Sequence, residues 1–148
     1  MKLPFKFKNI HHCEAVVLTC IDFRFWRETL EYAEKELGIK NFDFPSLPGA
    51  AKALNDCKSD QEIAMKCISV PRDLHQAKKL VLVNHQDCGA YGGSQVFNGD
   101  SEAEQKFHEE ELKKAKTKIL AKYPDLQIIL VYVKLADNGE NIEFLEIN

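Results

Sequence analysis

Two short segments of the sequence carry residue types that bind transition metals. The first, CIDFR, begins at Cys20, and the second, HQDCG, begins at His85 and includes Cys88. Thiolates and imidazoles are ligands that favour zinc over hard cations such as magnesium. Two cysteines and one histidine leave a fourth coordination position open, which is typical of catalytic zinc sites. The two segments therefore predict a Zn²⁺ ion bound by Cys20, His85 and Cys88.

The first segment also contains a carboxylate and a guanidinium. Asp22 and Arg24 alternate with Cys20, so the three side chains point to one side if the extended backbone continues. An arginine within hydrogen-bond reach would hold the carboxylate ionised and fix its direction. Asp22 is then either a fourth zinc ligand or an acceptor for zinc-bound water. The simpler interpretation is an Asp–Arg ion pair at a helix start, where aspartate is a favoured cap.

Five apolar segments predict the strands that position these residues. They are residues 15–19, 41–44, 80–84, 127–133 and 142–147. Three of them are nearly continuous apolar runs, as in parallel strands buried on both faces, whereas 142–147 alternates like an edge strand. CIDFR and HQDCG follow the first and the third strand. Ligands in parallel sheets lie at the carboxyl ends of the strands, so the two segments meet if these strands are neighbours.

Apolar residues at helical spacing separate these strands. The spacing predicts helices over residues 25–37, 50–54 and 102–123, and another that starts after Ser59 or Asp60 and breaks at Pro71. Alternating strands and helices predict an α/β fold, in which helices flank a central and mostly parallel sheet. An α+β fold stays open if the last two strands form a hairpin around residues 137–139. A parallel core with a hairpin edge would combine the two.

Length and composition restrict the classes of function. A chain of 148 residues is expected to form one domain, over residues 1–148. The formal net charge of −3 gives no field that would attract nucleic acid or an anionic membrane. Without an apolar run of membrane-spanning length or a visible secretory signal, a cytoplasmic location is expected. The five cysteines, an odd number, argue against a disulfide framework.

The order and spacing of CIDFR and HQDCG resemble those of the β-class carbonic anhydrases. In that family, Cys-x-Asp-x-Arg after the first strand and His-x-x-Cys-Gly after a later strand supply the zinc ligands and an Asp–Arg dyad. The resemblance implies that Cys20, His85 and Cys88 are the ligands. It also implies that Asp22 and Arg24 form the dyad.

The same resemblance carries expectations about substrate and assembly. It implies reversible hydration of carbon dioxide to bicarbonate by zinc-bound hydroxide, in a homodimer. Gly89 follows the second cysteine as it does in the family and is expected to adjoin the substrate. One departure is the run Ser46-Leu47-Pro48-Gly49-Ala50, which stands where family members carry an Arg-Asn-Ala-Gly-Asn type run.

Other functions remain open from the sequence. One is zinc-hydroxide hydrolysis of another small electrophile, and another is a non-catalytic, zinc-stabilised binding protein. A nucleophilic cysteine is disfavoured, because no arginine closes a phosphate loop after Cys88. The glycines that follow Cys88 are interpreted as a tight turn rather than an anion-binding nest. The remaining histidines (His11, His12, His75 and His108) are interpreted as surface or capping groups, and the remaining cysteines (Cys13, Cys57 and Cys67) as packing groups.

Overall fold

A six-stranded mixed sheet forms the centre of the protein in the computed structural model, which describes residue 1 and residues 3–148. The strands are β1 (Ala15–Cys20), β2 (Phe42–Asp43), β3 (Ser46–Leu47), β4 (Lys79–His85), β5 (Gln127–Ala136) and β6 (Asn141–Ile147). Their spatial order is β2-β1-β4-β5-β6, and β3 also pairs with β1. The pairs β1–β2, β1–β3, β1–β4 and β4–β5 are parallel, and β5–β6 is antiparallel. The predicted α/β fold with a mostly parallel sheet is confirmed.

In the described part of the chain, four α-helices cover the two faces of this sheet. They are α1 (Trp26–Lys35), α2 (Ala51–Asn55), α3 (Lys58–Leu74) and α4 (Ser101–Lys122). Successive residues of a strand point to opposite faces. Leu18 of β1 accordingly belongs to the core shared with α2, α3 and α4, whereas Val17 belongs to the core shared with α1. Burial on both faces explains why β1 and β4 are apolar almost throughout.

The edge of the sheet resolves the alternatives that the sequence left open. β5 and β6 form an antiparallel hairpin in which Leu135 pairs with Ile142. The connecting turn, Asp137–Gly139, places Asn138 at φ 58°, a left-handed conformation that asparagine tolerates well. The parallel core therefore carries a hairpin edge.

The structure differs from the sequence prediction at α3 and at β3. α3 begins at Lys58, before the predicted cap at Ser59 or Asp60, and it does not break at Pro71 but continues to Leu74. Proline removes one helical hydrogen bond and crowds the carbonyl four residues back, but the helix survives this for one further turn, in which the Pro71 carbonyl accepts the His75 N–H at 3.0 Å. The second difference is β3, a two-residue strand too short to produce an apolar pattern. Across residue 1 and residues 3–148, no helix combines the length and the apolar character that a bilayer span requires.

Candidate metal centre

The carboxyl ends of β1 and β4 bring the three predicted ligands together. Cys20 is the last residue of β1, His85 is the last residue of β4, and Cys88 lies in the turn that follows. Because β1 and β4 are parallel neighbours, their ends meet at one edge of the sheet. The ligand atoms of the three residues all lie within 4.8 Å of one another, and all three residues are buried.

The spacing of the two sulfurs fits a tetrahedral metal. Cys20 Sγ and Cys88 Sγ lie 3.8 Å apart. Two zinc–sulfur bonds of about 2.3 Å at the tetrahedral angle also place the sulfurs about 3.8 Å apart. No large rearrangement of β1 or of the turn after β4 is needed for both thiolates to share one ion.

The orientation of His85 supports the same conclusion. Its Nδ1 lies 2.7 Å from the carbonyl oxygen of Gln86, so Nδ1 carries the proton and Nε2 presents its lone pair. Nε2 is buried and has no hydrogen-bond partner within the described part of the chain. Leaving such an atom unsatisfied costs about 1–3 kcal/mol. Histidines that bind a metal through one ring nitrogen commonly donate the other N–H to a backbone carbonyl, as His85 does. The residues therefore fit a bound zinc ion.

The two thiols are close enough to perturb each other's ionisation. The hydrogen bond between the two sulfurs lowers the pKa of Cys20, and His85 beside it lowers that pKa further. The pKa of Cys88 is raised, since this thiol is the donor in that bond and is buried. A divalent cation would remove the conflict and let both groups ionise.

A backbone amide from residues 46–50, the run that departs from the family's pattern, also reaches the centre. The Gly49 N–H donates to Cys20 Sγ at 3.3 Å. Gly49 has φ +69°, and a Cβ added there would lie 2.8 Å from the Cβ of Lys52. This close approach requires glycine.

Asp22 and Arg24 form a tightly bonded pair beside the ligands. Arg24 Nε donates to Asp22 Oδ1 at 2.9 Å and Nη2 donates to Oδ2 at 2.6 Å, so the guanidinium contacts both carboxylate oxygens. These hydrogen bonds lower the pKa of Asp22. Asp22 Oδ2 lies 3.9 Å from His85 Nε2. The carboxylate thus borders the ligand cluster while its oxygens are engaged by Arg24.

Comparisons with known proteins show which family the chain belongs to. The family model described as "Putative carbonic anhydrase" matches residues 10–143. The chain belongs to this carbonic anhydrase family. Two relatives are uncharacterized rickettsial proteins: one of Rickettsia bellii is 32% identical over 82% of this chain and 76% of its own, and one of Rickettsia conorii is 34% identical over 82% and 67%.

Solved carbonic anhydrases share the fold of this family member. The carbonic anhydrase of Glaciozyma antarctica superposes with a TM-score of 0.58 at 12% identity, over 95% of this chain and 85% of its own. The β-carbonic anhydrase CafA of Aspergillus fumigatus gives 0.57 at 13% identity, over 91% and 76%. At these identities the likeness concerns the β-carbonic anhydrase fold.

A second carboxylate at the centre received no role in the sequence analysis. Asp87 lies within HQDCG, and its Oδ2 accepts a hydrogen bond from Arg24 Nη1 at 3.0 Å. The Asp87 N–H donates to Glu104 at 2.7 Å, and Ser94 Oγ donates to the other oxygen of the same carboxylate at 2.6 Å. Glu104 is buried in α4, so the helix fixes the turn that carries Cys88.

The interpretation of His108 as a surface group is wrong. His108 is fully buried beneath the centre and stacks on Tyr132 with ring centroids 5.4 Å apart. Asn84 Oδ1 accepts the Ala51 N–H at 3.1 Å, so the Asn84 amide nitrogen faces His108 Nδ1, also at 3.1 Å. This bond makes Nδ1 the acceptor and keeps the imidazole neutral. His108 and Glu104 lie four residues apart on α4, and that spacing was the available signal.

Burial of neutral His108 predicts a stability loss in mild acid. Burial lowers its pKa to about 4 from an ordinary value of 6.5. The unfolded chain binds this proton first, so stability falls as pH drops from 6.5 toward 4. We expect the wild type to lose about 2 kcal/mol more than His108→Gln between pH 7 and pH 5, by urea denaturation. Parallel pH dependences in the two proteins would contradict this assignment.

The remaining predictions have mixed outcomes. His11 and His12 are exposed as predicted. Phe25, to which the sequence analysis gave no role, is buried against His85 with ring centroids 4.3 Å apart. Cys57 is exposed and is not a packing group. Gly89 begins the 3-10 turn Gly89–Tyr91. The space beside it is open, since a Cβ added at Gly89 would meet no atom within 4 Å.

The glycines after Cys88 form a turn rather than a nest. The Gly92 N–H donates to the Gly89 carbonyl at 3.1 Å, and the Gly93 N–H donates to the Cys88 carbonyl at 3.0 Å. Because these two amides are used inside the turn, they are not free to bind an anion.

Proposed function

We propose that this protein is a zinc-dependent, carbonic anhydrase-like lyase that catalyses the reversible hydration of carbon dioxide to bicarbonate. Cys20, His85 and Cys88 are the proposed zinc ligands. The observation that carries the proposal is the cluster of these three buried ligands beside an Asp22–Arg24 pair, in a chain that belongs to a carbonic anhydrase family.

Zinc in a site with an open position supplies Lewis acidity, which makes a nucleophile of water near neutral pH. The ligand residues hold the ion, and the Gln86 carbonyl fixes the ring of His85. Hydration forms one carbon–oxygen bond and releases one proton. Asp22, 3.9 Å from His85 Nε2, is placed to accept that proton or to orient the water that carries it.

In this proposal Arg24 is a positioning residue. Its hydrogen bonds to both oxygens of Asp22 keep the carboxylate ionised and directed along the edge of the ligand cluster. Asp87 anchors the remaining guanidinium nitrogen. Asp22 is therefore assigned to the dyad rather than to the fourth ligand position.

Gly89 is the proposed substrate-binding residue. It follows Cys88 directly, is exposed, and has no side chain that would fill the space beside the centre. A small linear molecule such as carbon dioxide needs little more than an open approach. Because carbon dioxide offers few polar groups for the protein to bind, such a site needs to position mainly the nucleophile.

The assembly and location are part of the same proposal. Ile21, Phe23 and Trp26 follow β1 and expose large apolar surfaces next to the centre. Such a patch favours a homodimer that buries it. Five free cysteines fit a reducing compartment, which supports a cytoplasmic location.

The test is stopped-flow hydration of carbon dioxide by zinc-loaded protein. We expect a rate above buffer that scales with bound zinc and rises from neutral to alkaline pH, with chelated protein as control. A zinc-loaded, folded protein with no rate above buffer over that range would contradict the lyase assignment. That result would favour hydrolysis of another small electrophile or a zinc-stabilised binding protein.

A further inference from the structure

A second cluster of metal-binding residue types lies at the opposite end of the sheet. Cys13 precedes β1, Asp43 ends β2, and His75 follows α3. The ligand atoms of these three residues lie within 4.8 Å of one another, and each residue is half-buried. Cys13 and Cys20 are seven residues apart along an extended chain, so the two clusters are separated by roughly 20 Å.

Backbone hydrogen bonds hold the second cluster in place. The Cys13 N–H donates to the carbonyl oxygen of His75 at 2.9 Å, and the Glu14 N–H donates to that of Asn41 at 2.8 Å. Parallel pairing of Val16 with Asp43 fixes the third member. Backbone hydrogen bonds at the ends of β1, β2 and α3 therefore bring the three residues together.

The distances within the cluster suit a borderline-soft divalent cation. Cys13 Sγ lies 3.6 Å from Asp43 Oδ2, and a tetrahedral zinc site places a thiolate sulfur and a carboxylate oxygen about 3.5 Å apart. His75 Nδ1 lies 2.6 Å from the same oxygen, at hydrogen-bond distance. A cation bound by both atoms would replace this hydrogen bond and increase the distance between them by under about 1 Å. One sulfur, one nitrogen and one oxygen donor form a set that zinc and its neighbours bind.

The cluster places a thiol and a carboxylate side by side. The Cys13 thiol donates to the Ala15 carbonyl at 3.4 Å, and its sulfur lies 3.6 Å from Asp43 Oδ2. A cation would stabilise the thiolate and the carboxylate together.

Solvent reaches this cluster through a cavity. The cavity has a volume of about 430 Å³ and is lined by all three residues and by the exposed His11 and His12. It admits a hydrated ion from outside, and the two imidazoles line the same cavity.

We propose that Cys13, Asp43 and His75 form a second binding site for a zinc-class divalent cation, separate from the Cys20–His85–Cys88 centre. An ion there would cross-link the segment before β1, the end of β2 and the end of α3. The site lies far from Asp22 and Arg24, so its occupancy is a property independent of turnover.

Metal stoichiometry of the full chain tests the site. Metal-free protein is reloaded with excess zinc, dialysed against metal-free buffer and analysed for zinc per chain. We expect two equivalents in the wild type and one in Cys13→Ser and His75→Ala. Cys67→Ser, a half-buried cysteine outside both clusters, is the matched control and should keep two. If only the first centre failed to bind zinc, the wild type would still carry one zinc per chain, and Cys13→Ser would remove it. The failure of one proposal is therefore distinguishable from the failure of the other.

Two further readouts cover variants that fold poorly. In wild-type protein, zinc should protect Cys13 but not the exposed Cys57 from alkylation, measured by peptide mass spectrometry. The second equivalent of cobalt should add thiolate-to-metal absorption that is absent in Cys13→Ser. One zinc per wild-type chain, or a second ion that persists in Cys13→Ser on His11 and His12, would overturn the proposal. Alkylation of Cys13 at the same rate with and without zinc would do so as well.

Discussion

Cys20→Ser, His85→Ala and Cys88→Ser are each expected to lose the zinc ion of the first centre. Each change removes one of three donors, and the remaining two do not hold an ion against dialysis. A bound ion at 1,000 times its Kd stabilises the folded state by about 4 kcal/mol, so the free energy of unfolding should fall by several kcal/mol. The protein has a large core on both sheet faces, so the variants are expected to stay folded but melt earlier.

Metal analysis and urea denaturation of the three variants measure these effects. Cys57→Ser is the matched control, because Cys57 is exposed and distant from both clusters in the chain. Cobalt-substituted protein shows which centre is affected, since the first centre has two thiolates and the second has one. A ligand variant that keeps the two-thiolate absorption and its zinc would show that the ligand set is wrong.

The ligand cluster could be predicted from the sequence because it depends only on where two buried strands end and on their being neighbours. Nearly continuous apolar runs identified β1 and β4 as buried parallel strands, and the carboxyl ends of neighbouring parallel strands always lie at the same edge. Residues at those ends, Cys20 and His85, therefore had to approach each other once the strands were neighbours.

The residues behind the centre were not accessible in this way. The buried stripe of α4 runs through Glu104, His108, Leu112, Ala115 and Ile119, and only its second half is apolar. A hydrophobic pattern assigns charged and imidazole side chains to solvent. Glu104 is buried because the Asp87 amide and the Ser94 hydroxyl satisfy it, and these partners come from another part of the chain.

The Cys13–Asp43–His75 cluster was missed for a related reason. Its members are 30 and 32 residues apart in sequence, and no short motif joins them. Only the pairing of β1 with the two-residue strand β2 brings Asp43 beside Cys13. A strand that short gives no periodicity from which its register could be read.

The last prediction concerns the pair beside the ligands: Asp22→Asn and Arg24→Ala should lose turnover while keeping zinc. An amide does not accept a proton, and without Arg24 the Asp22 carboxylate loses its direction and its charge partner. Loss of a positioned acid–base group lowers kcat by about 10²–10⁴-fold. The Arg24 side chain is 40% exposed but that of Asp22 is only 15% exposed, so loss of the pair should cost somewhat more than the roughly 1 kcal/mol or less of a surface ion pair, and urea denaturation checks that the variants are folded.

Asp87→Asn is the matched control for that measurement. Asp87 has φ 55°, a conformation that asparagine accepts, and it contacts Arg24 without touching Asp22. Because Arg24 keeps its bonds to both Asp22 oxygens, kcat should change by less than about tenfold. Zinc content and carbon dioxide hydration are measured on all three variants. Loss of zinc from Asp22→Asn would instead make Asp22 the fourth ligand, and unchanged turnover would reduce the pair to an ion pair that starts α1.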